Sequence, residues 1–281
     1  GGGYVVDGAC ASGMLAVATA AEKLASGAAD FVLAGGVDVS LDPLELVGFA
    51  RLGALTRGDM NVYDASRSGF IPGEGCGFVA LKRLEDARAD GDYVYATIRG
   101  WGISTDGKGG ITKPRAETQA EMIRRAYSRA GFAASEVAFV EGHGTGTPVG
   151  DPVELAGVQQ AAQTDGPVEA RSIGMTSLKS LIGHTKAASG ILALIKATMA
   201  VNQRILPPLA GCTDPNPAFG TEAPALFPLV NGEIRDPSEK MRAGAQAMGF
   251  GGINCHVAIE SADAPSSKLT PSQDVRTMMA S

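Results

Sequence analysis

The segment YVVDGACASGMLAVATAAEKLASGAADFVLAG, residues 4–35, carries the clearest signal of the fold class. A short β-prone run at 3–7 leads through small residues into a helix-like segment at 14–27, which ends at a glycine. A second short apolar run follows at 30–35. This order predicts a β–α–β unit, and hence a parallel sheet that is covered on both faces. Cys10 lies at the turn between the first predicted strand and the helix.

Composition and charge narrow the class of protein. The chain has 281 residues, of which 44% are hydrophobic, and this is enough to bury a sizeable core. Its formal net charge of −6 argues against a basic surface for nucleic acid. No apolar run reaches membrane-spanning length and no signal sequence is recognisable. We therefore expect a soluble, cytoplasmic protein with neither a nucleic acid nor a membrane as partner.

The cysteines at positions 10, 76, 212 and 255 form neither CxxC pairs nor a closely spaced framework. This spacing is typical of a reducing compartment and argues against a metal site. Cys10 differs from the others because a helix start follows it, where N–H groups and the helix dipole lower the pKa of a thiol. Its thiolate could accept an acyl group, although an isolated cysteine is more often inert packing.

Two of the three histidines occupy similar turns. His143 and His184 both follow β-like segments and lie among glycines and threonines. Either one alone could be a hydrogen-bonded loop residue, but together with Cys10 they favour a reaction site. The order of strand, acidic residue, glycine and reactive side chain around Cys10 recurs at 138–146, AFVEGHGTG. This recurrence indicates an internally duplicated α/β domain or is a coincidence.

Four blocks together resemble a known family. They are VDGACASG at 6–13, EGHGTGTPVGDPVE at 141–154, LKSLIGHTKAASG at 178–190 and MGFGGINCHV at 248–257. In order and spacing they resemble the signature blocks of the β-ketoacyl synthases of the thiolase superfamily. The resemblance implies an α/β fold of the duplicated, layered α-β-α-β-α kind with mixed sheets, present here in part. It also implies acyl transfer to a cysteine, followed by decarboxylative Claisen condensation with a malonyl carrier protein.

The same resemblance assigns roles to individual residues. Cys10 would be the nucleophile, while His143 and His184 would line the pocket where the malonyl group loses carbon dioxide. Neutral imidazole N–H donors suit that step, because they stabilise an enolate oxygen without permanently protonating it. Lys179 would supply positive potential and Glu154 would be its ion-pair partner.

Further residues are predicted to support the site. The backbone N–H groups of Cys10 and Phe250 would form the oxyanion hole, and Phe250 would also gate the pocket. Gly251 and Gly252 would let the main chain approach closely. Asp151 is expected to cap the helix that follows it rather than to act in catalysis.

Five segments favour one subfamily. They look most like the iterative type I polyketide synthases of the enediyne and polyunsaturated-fatty-acid kind, above all the enediyne group. These segments are VDGACAS, DGKGGITKP at 106–114, GHTKA, LPPLAGCTDPNP at 206–217 and MGFGGIN. A polyunsaturated-fatty-acid or modular polyketide synthase is the alternative. A non-catalytic partner of the chain-length-factor type and a thiolase are further rivals; the cysteine with both histidines argues against the first, and His184 and Phe250 against the second.

Domain limits and partners complete the expectations. Residues 1–95 would end the N-terminal half and carry the nucleophile, 96–262 would form the C-terminal half, and 263–281 would be a linker or tail. The family resemblance implies an N-terminal segment that is missing from this chain, a homodimer partner and an acyl carrier protein. Substrates would arrive on the phosphopantetheine of that carrier, with no cofactor or metal in this domain.

Overall fold

The computed structural model describes residues 2–107 and 113–262. The predicted tail at 263–281 and part of the DGKGGITKP segment lie outside the described residues. The helices are α1 Ser12–Ala25, α2 Pro43–Arg51, α3 Leu84–Ala89, α4 Ala116–Ala130, α5 Gly150–Ala162, α6 Lys179–Ile182, α7 Ser189–Gln203 and α8 Ala218–Thr221. The strands are β1 Phe31–Asp38, β2 Gly75–Lys82, β3 Ala96–Thr105, β4 Phe139–Glu141, β5 Ile173–Thr176, β6 Ile205–Leu206, β7 Leu226–Pro228, β8 Glu233–Ile234, β9 Arg242–Gly249 and β10 Ile253–Ser261.

A six-stranded mixed sheet forms the centre of the molecule, with the strand order β3, β10, β9, β4, β5, β7. The strand β10 pairs antiparallel with both β3 and β9, whereas β9, β4, β5 and β7 run parallel. Helices α4 and α5 pack on one face, and α1 and α7 pack on the other. The carboxyl end of β4 therefore leads directly into the turn that carries His143, near the end of β9.

The helix α4 shows how the sequence sets the layers. The segment TQAEMIRRAYSRAGF, residues 118–132, predicts an amphipathic helix from the spacing of its apolar residues, and these residues are buried in α4. The helix ends at Gly131, whose φ of +77° is the left-handed conformation of a helix C-cap. A Cβ at Gly100 or Gly102 of β3 would overlap carbonyl oxygens of α4. These glycines let the helix lie directly against the strand.

The pair β1 and β2 is a separate antiparallel sheet. One face packs on α1 and α7, and the other exposes Phe31, Leu33 and Phe78 at 60%, 63% and 53% of their surface. The predicted strand at 3–7 is not a strand. The predicted parallel β–α–β unit and its two covered faces are therefore wrong here. The physical reason is that a strand needs a neighbour for its backbone hydrogen bonds, and no described strand lies beside residues 3–7.

Among the described residues, no helix combines the length and apolar character needed to cross a membrane.

Candidate active site

Cys10 lies in a single tight turn, Ala9–Ala11, directly before α1. The preceding residue, Ala9, has a φ of +50°, a strained conformation for a residue with a side chain. Two hydroxyl groups hold the turn: Ser12 Oγ donates to the Ala9 carbonyl at 2.7 Å, and Ser189 Oγ donates to the Cys10 carbonyl at 3.2 Å. The strained turn thus places the sulfur of Cys10 at a fixed point, where the residue is 8% exposed.

The loop after β9 brings a second backbone donor to Cys10. The backbone N–H groups of Phe250 and of Cys10 itself lie near the Cys10 thiol and act to lower its pKa. This pair is where the sequence predicted the oxyanion hole. The close approach occurs at Gly249, where a Cβ would overlap the carbonyl oxygen of Gly8.

The sequence predicts a close approach of the main chain at Gly251 and Gly252, and this is right only for Gly252. Nothing lies within 4 Å of a Cβ placed on Gly251, and that residue is needed for its φ of +102° instead. Gly252 has both a φ of +81° and a close neighbour, since a Cβ there would lie 3.0 Å from the Cβ of Asp106.

Burial raises the pKa of the Cys10 thiol. The positive charge of Lys179 and the backbone N–H groups act in the opposite direction. The expected net lowering of this pKa is therefore wrong, because desolvation outweighs the donors at the helix start. At neutral pH the thiol is mainly protonated and must lose its proton when the substrate arrives.

His143 and His184 meet edge to face, with their ring centroids 5.4 Å apart. Phe70 closes one side of His184, at 4.9 Å between ring centroids. Burial, followed by the charge of Lys179, holds the pKa of both imidazoles well below 6.5. Both rings are therefore neutral at pH 7.

The tautomer of His184 follows from its hydrogen bond. The backbone N–H of Lys186 donates to His184 Nδ1 at 3.1 Å, and a nitrogen that accepts carries no proton. The neutral ring therefore carries its proton on Nε2 and offers an N–H donor there. His143 Nδ1 is buried and has no hydrogen-bond partner among the described residues.

Lys179 is 3% exposed and begins the one-turn helix α6. Burial lowers its pKa, while the carboxylates of Glu154 and Glu141, and Cys10 when it is a thiolate, oppose that shift. Its side chain makes no ion pair within 4.0 Å in the part of the chain that the structure describes. The ammonium group therefore acts on its neighbours through its field rather than through a direct contact.

Glu154 was expected to pair with that lysine, and the structure gives it different partners. Its carboxylate accepts hydrogen bonds from the backbone N–H groups of His143 at 2.5 Å and Gly144 at 2.8 Å. It also accepts from Tyr63 Oη at 2.9 Å and Gln246 Nε2 at 2.6 Å. The predicted direct ion pair is wrong, because four closer donors occupy both carboxylate oxygens. Glu154 instead fixes the turn that carries His143.

Asp151 does not cap a helix. It lies inside the first turn of α5, fully buried, and accepts from the backbone N–H groups of Tyr63 at 2.8 Å and Gly146 at 3.0 Å. The cap prediction is wrong because these distant donors, rather than those of its own helix, satisfy the carboxyl group. Burial raises its pKa to about 7.

Several residues around the site were not among those predicted from the sequence. Phe49 packs against Phe250 with 6.0 Å between ring centroids and against Phe70 with 5.2 Å, so three aromatic rings line the side of the predicted gate. Tyr63 was missed as well, although the aromatic residue in NVYDASRSGF, residues 61–70, was the available signal. The buried Lys186 forms ion pairs with the half-buried Asp38 and Glu45, both at 3.0 Å, close to His184.

Comparison with known proteins agrees with this geometry. Residues 1–87 match the family model described as Beta-ketoacyl synthase, N-terminal domain, and 95–213 match Beta-ketoacyl synthase, C-terminal domain. One of the subunits of the phenolphthiocerol/phthiocerol polyketide synthase of Mycobacterium tuberculosis is 36% identical over 285 residues, covering 96% of this chain and 15% of that protein. Fusarin C synthetase of Gibberella fujikuroi is 36% identical over 278 residues, covering 94% of this chain and 7% of that protein.

Solved structures show the same relationship. The ketosynthase from module 6 of the bacillaene synthase of Bacillus subtilis superposes with a TM-score of 0.87 at 35% identity, covering 92% of this chain and 47% of that one. An oxazolomycin ketosynthase domain of Streptomyces albus gives 0.86 at 34% identity, covering 93% and 46%. This chain therefore spans about half of a ketosynthase and a small part of the curated synthases. It has their mixed α/β, thiolase-like fold and belongs to the β-ketoacyl synthase family of C–C bond-forming acyltransferases.

Proposed function

We propose that Cys10 carries an acyl chain which this enzyme lengthens by decarboxylative condensation with a malonyl thioester. One observation carries the proposal: a thiol with two backbone N–H donors belongs to the same electrostatic cluster as two neutral histidines and a buried lysine. A non-catalytic partner protein would have no need of such a cluster.

In the first half-reaction the Cys10 sulfur, on losing its proton, attacks the carbonyl carbon of an acyl thioester. The C–S bond to the pantetheine sulfur breaks, and the released thiol takes up a proton. The backbone N–H groups of Cys10 and Phe250 stabilise the oxyanion that forms on the carbonyl oxygen. Lys179 assists, because its charge favours the thiolate.

In the second half-reaction a malonyl thioester loses its carboxylate as carbon dioxide. The electron pair left behind forms an enolate, whose oxygen accepts a hydrogen bond from His184 Nε2–H. His143 packs beside His184 as a second neutral imidazole. The enolate carbon then attacks the acyl carbonyl, and the Cys10 thiolate leaves.

Intact-protein mass spectrometry tests the first half-reaction. The full-length protein is exposed to an acyl thioester of N-acetylcysteamine, and one acyl adduct is expected on the wild type. Cys10→Ala should abolish it, whereas Cys76→Ala, which removes an exposed thiol, should retain it. An adduct that persists in Cys10→Ala would refute the nucleophile assignment.

Release of carbon dioxide from malonyl N-acetylcysteamine thioester tests the second half-reaction. We expect His143→Ala and His184→Ala to lower this rate, each by about 100-fold, since each removes a group of a preorganised site. Retention of the wild-type rate in both variants would contradict the two-histidine mechanism.

The biosynthetic setting is a finer part of the proposal. The sequence segments favour an enediyne-type polyene synthase, while the module-derived bacillaene ketosynthase supports the modular alternative. We propose two partners, a homodimer partner and an acyl carrier protein whose phosphopantetheine presents the substrates, with no cofactor in this domain. The halves would divide near 95, and the matched ranges 1–87 and 95–213 support that limit. Four free cysteines support a cytoplasmic location.

A further inference from the structure

Three buried polar residues have no place in the proposed reaction. His256 on β10 and Gln246 on β9 are fully buried, and Tyr127 on α4 is 5% exposed. Polar groups are retained in a core when their hydrogen bonds are satisfied, and such networks fix a unique arrangement. The partners of these residues therefore indicate what they hold in place.

The three side chains form a chain of hydrogen bonds that ends at Glu154. His256 Nε2 lies 3.2 Å from Tyr127 Oη, and His256 Nδ1 lies 3.0 Å from Gln246 Oε1. Gln246 Nε2 lies 2.6 Å from Glu154 Oε1. Glu154 in turn accepts the backbone N–H of His143. A continuous hydrogen-bonded path thus joins α4, across the two strands, to the turn of His143.

The chemistry of the groups fixes the direction of every bond. A carboxylate only accepts, so Gln246 must present its NH₂ to Glu154 and its oxygen to His256. That oxygen requires a donor, so His256 carries its proton on Nδ1. His256 Nε2 is then an acceptor, and Tyr127 Oη must donate to it. Every donor in the line points toward Glu154.

The backbone is shaped around this line. A Cβ at Gly244 would lie 2.6 Å from His256 Cε1 and 2.8 Å from Tyr127 Oη, too close for any other residue. A Cβ at Gly142 would overlap the hydroxyl oxygen of Tyr63, the other side-chain donor to Glu154. Burial also lowers the pKa of His256 to about 3, which keeps the ring neutral.

We propose that Tyr127, His256 and Gln246 form a one-way hydrogen-bond relay that orients Glu154, and through it the His143 turn, for decarboxylation. They are positioning residues, since none of them touches the reacting atoms. The expected effect on the decarboxylation rate rests on the proposed function, whereas the expected proton position on His256 does not.

Two substitutions of His256 separate the relay from simple packing. In His256→Asn the side-chain amide can still donate to Gln246, from a place close to that of Nδ1, whereas His256→Leu fills the space without a donor. The relay predicts that the Leu variant decarboxylates malonyl N-acetylcysteamine thioester about 10-fold to 100-fold more slowly than the Asn variant, because Leu leaves the buried Gln246 oxygen without a donor. A packing role predicts the reverse order, because Leu suits an apolar core better.

Comparing the rates of the two half-reactions also distinguishes a relay from a packing role. Acyl loading of Cys10 uses the Phe250 amide, so its rate should stay within about twofold of the wild type in Gln246→Met, while decarboxylation falls about 10-fold to 100-fold. Cys255→Ala is the control, because it alters a buried residue that neighbours His256 on β10 but lies outside the relay. A parallel fall of both half-reactions, or a Leu variant as active as the Asn variant, would overturn the relay.

Nitrogen-15 NMR of histidine-labelled protein tests the proton position directly. The His256 signal is identified by its loss in His256→Leu, and we expect protonated Nδ1 with unprotonated Nε2. A proton on Nε2 would overturn the relay, whatever the activity. If the wild type neither loads Cys10 nor decarboxylates the thioester, the proposed function fails, and the NMR result alone still decides the relay.

Discussion

Replacing Glu154 by Gln should loosen the turn that carries His143. Each carboxylate oxygen accepts two hydrogen bonds: Oε1 from His143 N and Gln246 Nε2, and Oε2 from Gly144 N and Tyr63 Oη. A Gln side chain must put its NH₂ group in place of one oxygen. Whichever way it turns, a backbone N–H then faces another donor, because backbone groups cannot rotate away.

The size of the effect follows from the bonds lost. A hydrogen bond to a charged group contributes about 1.5–3 kcal/mol, and a buried N–H left without an acceptor costs about 1–3 kcal/mol. We expect the local opening free energy of the turn to fall by about 2–2.7 kcal/mol, which is about 30-fold to 100-fold in the opening equilibrium. Decarboxylation should slow by a comparable factor, since His143 loses its fixed place.

Hydrogen exchange followed by mass spectrometry measures this opening in the full-length protein. The peptide that spans residues 139–150 should exchange about 30-fold to 100-fold faster in Glu154→Gln than in the wild type. Glu117→Gln, the same chemical change at an exposed position of α4, should leave that peptide unchanged. Equal protection of the peptide in Glu154→Gln and the wild type would refute the role given to Glu154.

Three further predictions concern charge. Lys179→Met should slow iodoacetamide alkylation of Cys10 at pH 8, read by peptide mass spectrometry, because the lysine lowers the thiol pKa that burial raises; an unchanged rate would contradict this. His143 and His184 have lowered pKa values, so malonyl decarboxylation should show no acid-side fall between pH 6 and 8; an inflection near 6.5 that disappears in either His→Ala variant would argue against neutral donors. The pKa of Asp151 is raised from 3.8 to about 7, so the folded state holds a proton that the unfolded state releases, and stability should fall by up to about 4 kcal/mol as the pH rises from 4 to 7. Thermal midpoints should show this slope in the wild type and not in Asp151→Asn, and equal slopes would refute it.

Local pattern was a good guide wherever the structure is decided locally. The apolar period of α4 and its closing glycine predicted that helix, and the small-residue turns marked Cys10, His143 and His184. The strand predicted at 3–7 failed because a strand exists only beside a partner, and sequence pattern does not report the partner. The helix-cap prediction for Asp151 was wrong for the same reason, because its hydrogen-bond partner Tyr63 lies 88 positions away in the sequence.

The relay residues could not have been found from the sequence. Tyr127 and His256 are 129 positions apart, and Gln246 reaches Glu154 over 92 positions. Each residue by itself fits a buried strand or helix position. Only the fold shows that their donors and acceptors alternate in one direction.

The buried charge of Lys179 connects both half-reactions. It lowers the pKa of the Cys10 thiol, which favours the thiolate that attacks the acyl thioester. It also lowers the pKa of His143 and His184, which keeps both rings neutral so that their N–H groups can donate to an enolate. An unpaired ammonium in a core would be costly, and the anionic side chain of Glu154 offsets part of that cost through space. Because four hydrogen bonds occupy Glu154, it cannot move to quench the ammonium in a direct ion pair, so the positive field stays available to the thiol and to both imidazoles.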